Sequence, residues 1–175
     1  NLKTKDYVIS NSLKEFNLNH FIKNPKDYSS NALQYLKLAN VYISAHYWDP
    51  ASPKIFKKNE LDELINLRVI GDITCDVDGS VPTTIRSSTI KDPNYYFDKI
   101  TFKELKNNKG LAIMAVDNLP SELPRDSSKE FGDGIVSEVI PYIFNNDDGR
   151  ILNATITSDG SFLQKYNYLD DYIKS

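Results

Sequence analysis

The chain has 175 residues, enough for one sizeable core, and its 40% hydrophobic and 26% charged residues are typical of a globular protein. Its net charge of -3, with no basic run longer than two residues, argues against a nucleic-acid partner. No apolar stretch reaches membrane-spanning length and Cys75 is the single cysteine, so we expect a cytoplasmic protein without a membrane partner, internal disulfide or cysteine metal cluster.

The first half of the chain predicts alternating strands and helices. Short apolar runs predict strands, and leucines at helical spacing predict helices. The elements predicted in this half are a strand within 6–10, an Asn-rich irregular segment up to 31, a helix within 28–38, a strand at 41–45, a helix at 58–67 and a strand at 69–75. Strands and helices that alternate with short connections indicate a parallel sheet with helical crossovers.

The second half begins with a long segment that has little periodicity. The elements predicted here are an irregular excursion over 83–109, a buried strand at 111–116, a helix from about 125 that Pro141 kinks and that ends by Asn145, a short strand or extended piece at 151–157 and a terminal helix at 162–173. Asn1 opens the chain where a Met would begin a complete protein, so we expect a piece of a longer protein.

A polar pair follows the predicted strand at 111–116. Asp117 and Asn118 end this apolar run, and Pro120 and Pro124 prevent a regular helix before the second proline. Ligands of parallel sheets bind at the carboxyl ends of the strands, so the pair is a candidate site. The same residues also suit a proline-rigid turn without a ligand, and both interpretations stay open.

Three carboxylates, Asp72, Asp76 and Asp78, cluster where the strand at 69–75 ends. Asp76 to Ser80 resembles the first motif of haloacid-dehalogenase-like phosphatases, which would make Asp76 the nucleophile and Asp78 the acid/base beside Mg²⁺. That family needs a second acidic pair, for which 147–148 is a poor candidate. An EF-hand loop is disfavoured because its twelfth position is Ser87, and a simple Asp-Gly turn is the third interpretation.

Four segments between residues 35 and 170 carry a more extensive resemblance. They are residues 40–45 with 52–56, residues 72–76 with Gly79-Ser80, residues 116–120 with 123–125 and 127–128, and residues 154–160 continuing through 169. In this order they resemble the C-terminal part of the alanine dehydrogenase / saccharopine dehydrogenase (lysine–oxoglutarate reductase) family. The third segment, with Asn-Leu-Pro followed by Leu-Pro-Arg and two serines, is the most specific.

The resemblance implies an α/β fold, the second half of a Rossmann-like parallel sheet with helical crossovers and a helical C-terminal return. It divides the chain into residues 1–100, within the dinucleotide-binding domain, and residues 101–175, which hold the last strand, a dinucleotide-contacting loop and the C-terminal helices. The remaining N-terminal part of the enzyme, with the Gly-rich loop and the substrate domain, would be a partner. NAD and NADP both stay open as the cofactor, because the residue that reads the ribose follows that loop.

The resemblance also implies the site residues. The residues that would line the dinucleotide are His46, Tyr47, Ile73, Thr74, Cys75 and Asp76, with Val116, Asp117, Asn118 and Leu119 at its nicotinamide end. Asp76 and Asn118 match positions that reach the reaction centre. Asp78 and Asp117 depart from the alanine enzymes and favour the saccharopine branch.

The resulting expectation is hydride transfer between a nicotinamide cofactor and an amino acid or its imine, with a keto acid as the other substrate. The alternatives are the Mg²⁺ phosphatase described above and a non-catalytic fragment that completes the domain of another chain. Formation of a homo-oligomer stays open.

Overall fold

The computed structural model describes residues 2–12 and 15–173, and the chain divides into two compact units, one ending at Glu122 and one beginning at Leu123. Asn1, on which the expectation of a longer protein depends, lies outside the described residues. Within the described ranges, no helix has the length and apolar character that crossing a membrane requires.

The first unit begins with short elements. They are α1 (Thr4–Tyr7), β1 (Val8–Ser10), α2 (Leu18–Lys23), β2 (Tyr28–Ser30) and α3 (Leu33–Leu36). The predicted irregular segment therefore contains a helix, which begins where the Asn17 side chain accepts a hydrogen bond from the His20 backbone. The helix predicted within 28–38 is confirmed only over α3, because β2 pairs antiparallel with β1.

A five-stranded sheet follows. Its strands are β3 (Val41–Ser44), β4 (Val69–Asp72), β5 (Asn94–Phe97), β6 (Glu104–Leu105) and β7 (Leu111–Met114), in the order β3-β4-β7-β5-β6. β3, β4 and β7 are parallel, as predicted. β5 is antiparallel to β7 and to β6, so the prediction of an all-parallel sheet is wrong: a hairpin lies inside the segment predicted to be irregular.

The helix predicted at 58–67 is a 3-10 helix, Lys58–Glu63. Leu61, Leu64 and Leu67 are all buried, at intervals of three residues. Leu61 lies in this helix, and Leu64 and Leu67 follow it. The Leu64 nitrogen donates to the Leu61 oxygen and the Leu67 nitrogen to the Leu64 oxygen, so the three-residue spacing of 3-10 turns continues beyond the helix. The connection between β3 and β4 is therefore not the predicted α-helical crossover.

The core lies on one face of the sheet. Ile70, Phe97 and Ile113 are fully buried there together with the leucines of the connection. On the other face Val41 and Ile43 of β3 are 55% and 63% exposed. Parallel strands are usually covered on both faces, whereas the outer face of the edge strand β3 is open to solvent.

The second unit is mainly helical. Its elements are α4 (Pro124–Glu138), α5 (Ile140–Phe144), α6 (Arg150–Ala154), β8 (Thr157–Ser158), β9 (Ser161–Phe162), a 3-10 helix (Gln164–Leu169) and α7 (Asp170–Ile173). The break expected at Pro141 is confirmed, because α4 ends and α5 begins beside it. The strand predicted at 151–157 is mostly α6, and the predicted terminal helix is interrupted. No described residue from 123 to 173 is buried.

Replacing Leu61, which is fully buried, with alanine should lower the free energy of unfolding of the first unit by about 2–5 kcal/mol, because a cavity remains in the core. Leu38 is 81% exposed, so Leu38→Ala is the matched control and should change stability by less than about 0.5 kcal/mol. Urea unfolding followed by circular dichroism measures both, and equal losses would show that the core is elsewhere.

Candidate functional site

The carboxyl ends of β3, β4 and β7 lie at one edge of the sheet because these strands are parallel. The segments that leave this edge contain His46, the loop 73–76 and the loop 116–119. The site residues predicted from the sequence lie in these three segments. Open α/β sheets bind their ligands at this edge, so it is the candidate functional site.

Cys75 joins two of these loops. Its Sγ lies 3.1 Å from the backbone oxygen of Asp72 and 3.2 Å from that of Val116, so the thiol proton is shared between two carbonyl oxygens. Cys75 adopts a φ of 57°, a left-handed conformation that turns the chain sharply. The strand predicted to reach Cys75 therefore ends at Asp72, and the turn brings the loop after β4 against the loop after β7.

Asp72 is fully buried at the end of β4. Its Oδ1 accepts hydrogen bonds from the backbone nitrogen and the hydroxyl of Thr74, at 3.2 and 2.5 Å. Its Oδ2 accepts one from the Thr84 hydroxyl at 2.6 Å. In sequence, Asp72 was grouped with the other carboxylates and Thr84 was not predicted. The Asp-x-Thr spacing indicates the contact with Thr74, whereas no local pattern indicates the contact with Thr84.

Burial and, after it, nearby carboxylates raise the pKa of the Cys75 thiol. Burial is the largest cause, followed by the negative charges of Asp72, Asp117 and Asp76. Asp76 and Asp117 are exposed, so two charged side chains from different loops lie at the surface of the site. A thiol with a raised pKa stays protonated at neutral pH, which keeps Cys75 a hydrogen-bond donor rather than a nucleophile.

His46 follows β3 at the same edge. Its Nδ1 lies 3.2 Å from Ser44 Oγ, within hydrogen-bond distance, and among the described residues its buried Nε2 has no hydrogen-bond partner. Burial lowers the pKa of His46, and the carboxylates of Asp72 and Asp76 oppose this effect only in part. The imidazole is therefore neutral at pH 7. The adjacent Tyr47 is 91% exposed.

Ser88 supports the loop after β7. Its backbone pairs with Val116, its hydroxyl accepts a hydrogen bond from the Ala115 nitrogen at 2.9 Å, and the same hydroxyl donates to Pro93 at 2.8 Å. Asp117 and Asn118 then leave the sheet as exposed side chains. Sequence reasoning missed Ser88, because it lies in the segment predicted to be irregular.

The segment 76–80, on which the phosphatase interpretation depends, holds Asp78 close to two lysines. Asp78 has a φ of 53°, and its carboxylate lies 3.4 Å from Lys58 Nζ. Lys54 Nζ donates to the Asp78 backbone oxygen at 2.5 Å. Among the described residues, no three His, Cys, Asp or Glu side chains are grouped as a metal site would require. Asp78 is paired with a lysine, an arrangement that does not favour the acid/base role.

No protein-family model matches the chain. Among curated proteins, it is similar to the alpha-aminoadipic semialdehyde synthase of Arabidopsis thaliana, at 28% identity over 146 residues that cover 78% of the chain and 14% of the relative. The mitochondrial alpha-aminoadipic semialdehyde synthases of Rattus norvegicus (23% over 185 residues, 85% and 20% covered) and Mus musculus (25% over 156 residues, 73% and 17% covered) are also similar. The chain spans a fifth or less of the length of these relatives.

These similarities support the saccharopine dehydrogenase part of the resemblance. The alanine dehydrogenase part, the position of the chain within a longer protein and the individual roles of the site residues stay predictions. Nothing in the similarities supports the phosphatase alternative.

Asp117→Asn should lower the pKa of the Cys75 thiol, because it removes one of the negative charges that disfavour the thiolate. The pH profile of Cys75 alkylation by iodoacetamide should therefore move to lower pH. Asp78→Asn is the matched control, because this nearby carboxylate is not among the causes of the Cys75 shift. If Asp117→Asn leaves the pH profile of Cys75 alkylation unchanged, the Asp117 carboxylate does not act on the thiol.

Proposed function

We propose that the chain is the C-terminal part of an NAD(P)-dependent amino-acid oxidoreductase related to saccharopine dehydrogenase and lysine–oxoglutarate reductase. The reaction would transfer a hydride between the nicotinamide and an amino acid or its imine. One observation carries the proposal: the segments at 72–76 and 116–120, which bear the family resemblance, meet through Cys75 at the carboxyl edge of parallel strands. The similarity to alpha-aminoadipic semialdehyde synthases supports the same assignment.

The exposed side chains of this edge fit a dinucleotide. Ile73 is 46% exposed and offers an apolar surface to a planar ring, while Asn118 offers an amide that can donate and accept hydrogen bonds. Bound nicotinamide would supply or accept the hydride. The role of His46, Tyr47 and the loops 73–76 and 116–119 would be to bind and orient that group and to exclude water from it.

Asp76 and Asn118 would act nearest the reacting atoms. The exposed Asp76 carboxylate would place negative charge beside the positively charged nitrogen of an imine, and the Asn118 amide would orient the carboxamide of the cofactor or a substrate oxygen. Pro120 is the second residue of a short 3-10 helix, Leu119–Glu122, which lies in the segment predicted to hold no regular helix. Its fixed φ restricts the loop that carries Asn118. A restricted loop loses less conformational entropy on binding, so its groups are preorganised.

The proposed partner is the remaining N-terminal part of the enzyme, with an amino acid and a keto acid as substrates. The exposed Val41 and Ile43 on the incompletely covered face of the sheet support this partner, because parallel sheets are buried on both faces. By resemblance, the phosphate-binding loop and the substrate-binding side chains belong to that part. A cytoplasmic location stays part of the proposal; the mammalian relatives are named as mitochondrial.

The isolated 175-residue chain should therefore show no dehydrogenase activity. NAD(P)H oxidation is measured with 2-oxoglutarate plus lysine, and separately with pyruvate plus ammonia, beside the full-length protein as the positive control. Turnover by the purified chain alone would refute its assignment as part of a larger active unit.

In the full-length protein, Asn118→Leu should lower the rate of hydride transfer by about 10²–10³, the usual cost of losing one preorganised donor. The melting temperature should stay unchanged, because Asn118 is exposed. Asn59→Leu, at an exposed position of the 3-10 helix, is the matched control and should leave the rate unchanged. If Asn118→Leu acts only on the melting temperature, the Asp-Asn pair is a strand-ending turn.

A further inference from the structure

Asp72 is a buried carboxylate, and stability alone does not explain why a charged side chain lies at this position. It is fully buried, and within the described residues it forms no ion pair with Lys, Arg or His. Removing a carboxylate from water is costly, and hydrogen bonds alone compensate it here. A neutral residue of similar size would avoid that cost, which points to a role in fixing local geometry.

The three hydrogen bonds to Asp72 connect segments that are distant in the chain. Thr74 belongs to the turn that follows β4, whereas Thr84 lies in the buried stretch 80–84. Each carboxylate oxygen faces one segment: Oδ1 accepts from Thr74 and Oδ2 from Thr84. The orientation of the carboxylate, and with it the first turn of the loop 73–76, is therefore held from the buried side by Thr84.

The turn held by Asp72 determines where Cys75 lies. Cys75 follows Thr74 directly, and its left-handed backbone directs the thiol toward Val116 at 3.2 Å. A loop released from Asp72 would not keep this conformation, because a non-glycine residue holds a left-handed backbone only where its surroundings support it. The contact between the two loops therefore depends on the buried carboxylate.

We propose that Asp72 is a positioning residue that aligns the loop 73–76 with the loop 116–119. The buried carboxylate cannot touch substrate or cofactor; it acts through Thr74 and Cys75 on the side chains that do. The assignment of these loops to a cofactor rests on the proposed function, whereas the alignment itself is a property of the isolated chain and can be tested there.

Thr84→Val tests the alignment, and Thr83→Val is its matched control. Both threonines are fully buried neighbours, but the Thr84 hydroxyl donates to Asp72 whereas, among the described residues, the Thr83 hydroxyl has no partner. Thr84→Val keeps the charge of Asp72, so it changes the loop without directly removing a charge that acts on Cys75.

Two quantities are measured in the isolated chain: the rate of Cys75 alkylation at fixed pH, and the dependence of that rate on urea below the unfolding transition. We expect Thr84→Val to accelerate alkylation about tenfold or more, the effect of losing one hydrogen bond to a charged group. The accelerated rate should stay nearly independent of urea, because local opening of a loop exposes little surface. Thr83→Val should leave the alkylation rate unchanged. Equal alkylation rates in the two variants, or a rate in Thr84→Val that rises with urea as steeply as global unfolding does, would overturn the proposal.

Measurements in the full-length protein separate the positioning role from the proposed function. In the full-length protein, Thr84→Val should lower kcat more than Thr83→Val does at the same melting temperature. Accelerated alkylation in a full-length protein without NAD(P)-dependent turnover would leave the alignment supported and refute the proposed function alone.

Discussion

Parallel pairing of β3, β4 and β7 is the constraint on which the site depends. It brings the carboxyl ends of three strands to one edge, so that segments separated by tens of residues leave the sheet side by side. An antiparallel β4 or β7 would send its loop to the opposite edge. The hairpin of β5 and β6 leaves this arrangement intact because it is added beyond β7, outside the parallel strands.

The strands of the parallel group could be predicted because each is a short apolar run bounded by polar or turn residues. The hairpin could not, because Asn-Tyr-Tyr-Phe is short and three aromatic residues in a row show no alternation of apolar and polar residues, although the structure buries Tyr95 and Phe97 and leaves Tyr96 partly exposed. Leucines at 61, 64 and 67 suit the spacing of 3-10 turns and of an α-helix nearly equally well, so the sequence alone does not distinguish the short 3-10 helix Lys58–Glu63 from the longer α-helix that was predicted.

The candidate site was predictable only as far as local pattern reaches. Asp76 and Asn118 follow apolar strands, so their place at the carboxyl edge follows from the topology. The contacts that hold the site span 12 residues from Thr84 to Asp72, 27 from Ser88 to Ala115 and 41 from Cys75 to Val116. No periodicity or motif encodes such contacts, because they arise from the packing of segments that meet only after folding.

The residues that hold this site and the residues exposed at it are chemically different. Asp72 and Thr84 are buried and joined by a hydrogen bond, whereas Asp76, Asp117 and Asn118 are exposed to solvent. The buried set fixes loop geometry before anything binds, so less conformational entropy is lost on binding. The incomplete cover over Val41 and Ile43 shows that the described fold alone does not enclose this sheet. The described fold therefore combines a candidate site whose loops are already held in place with an edge strand whose outer face stays open to a further contact.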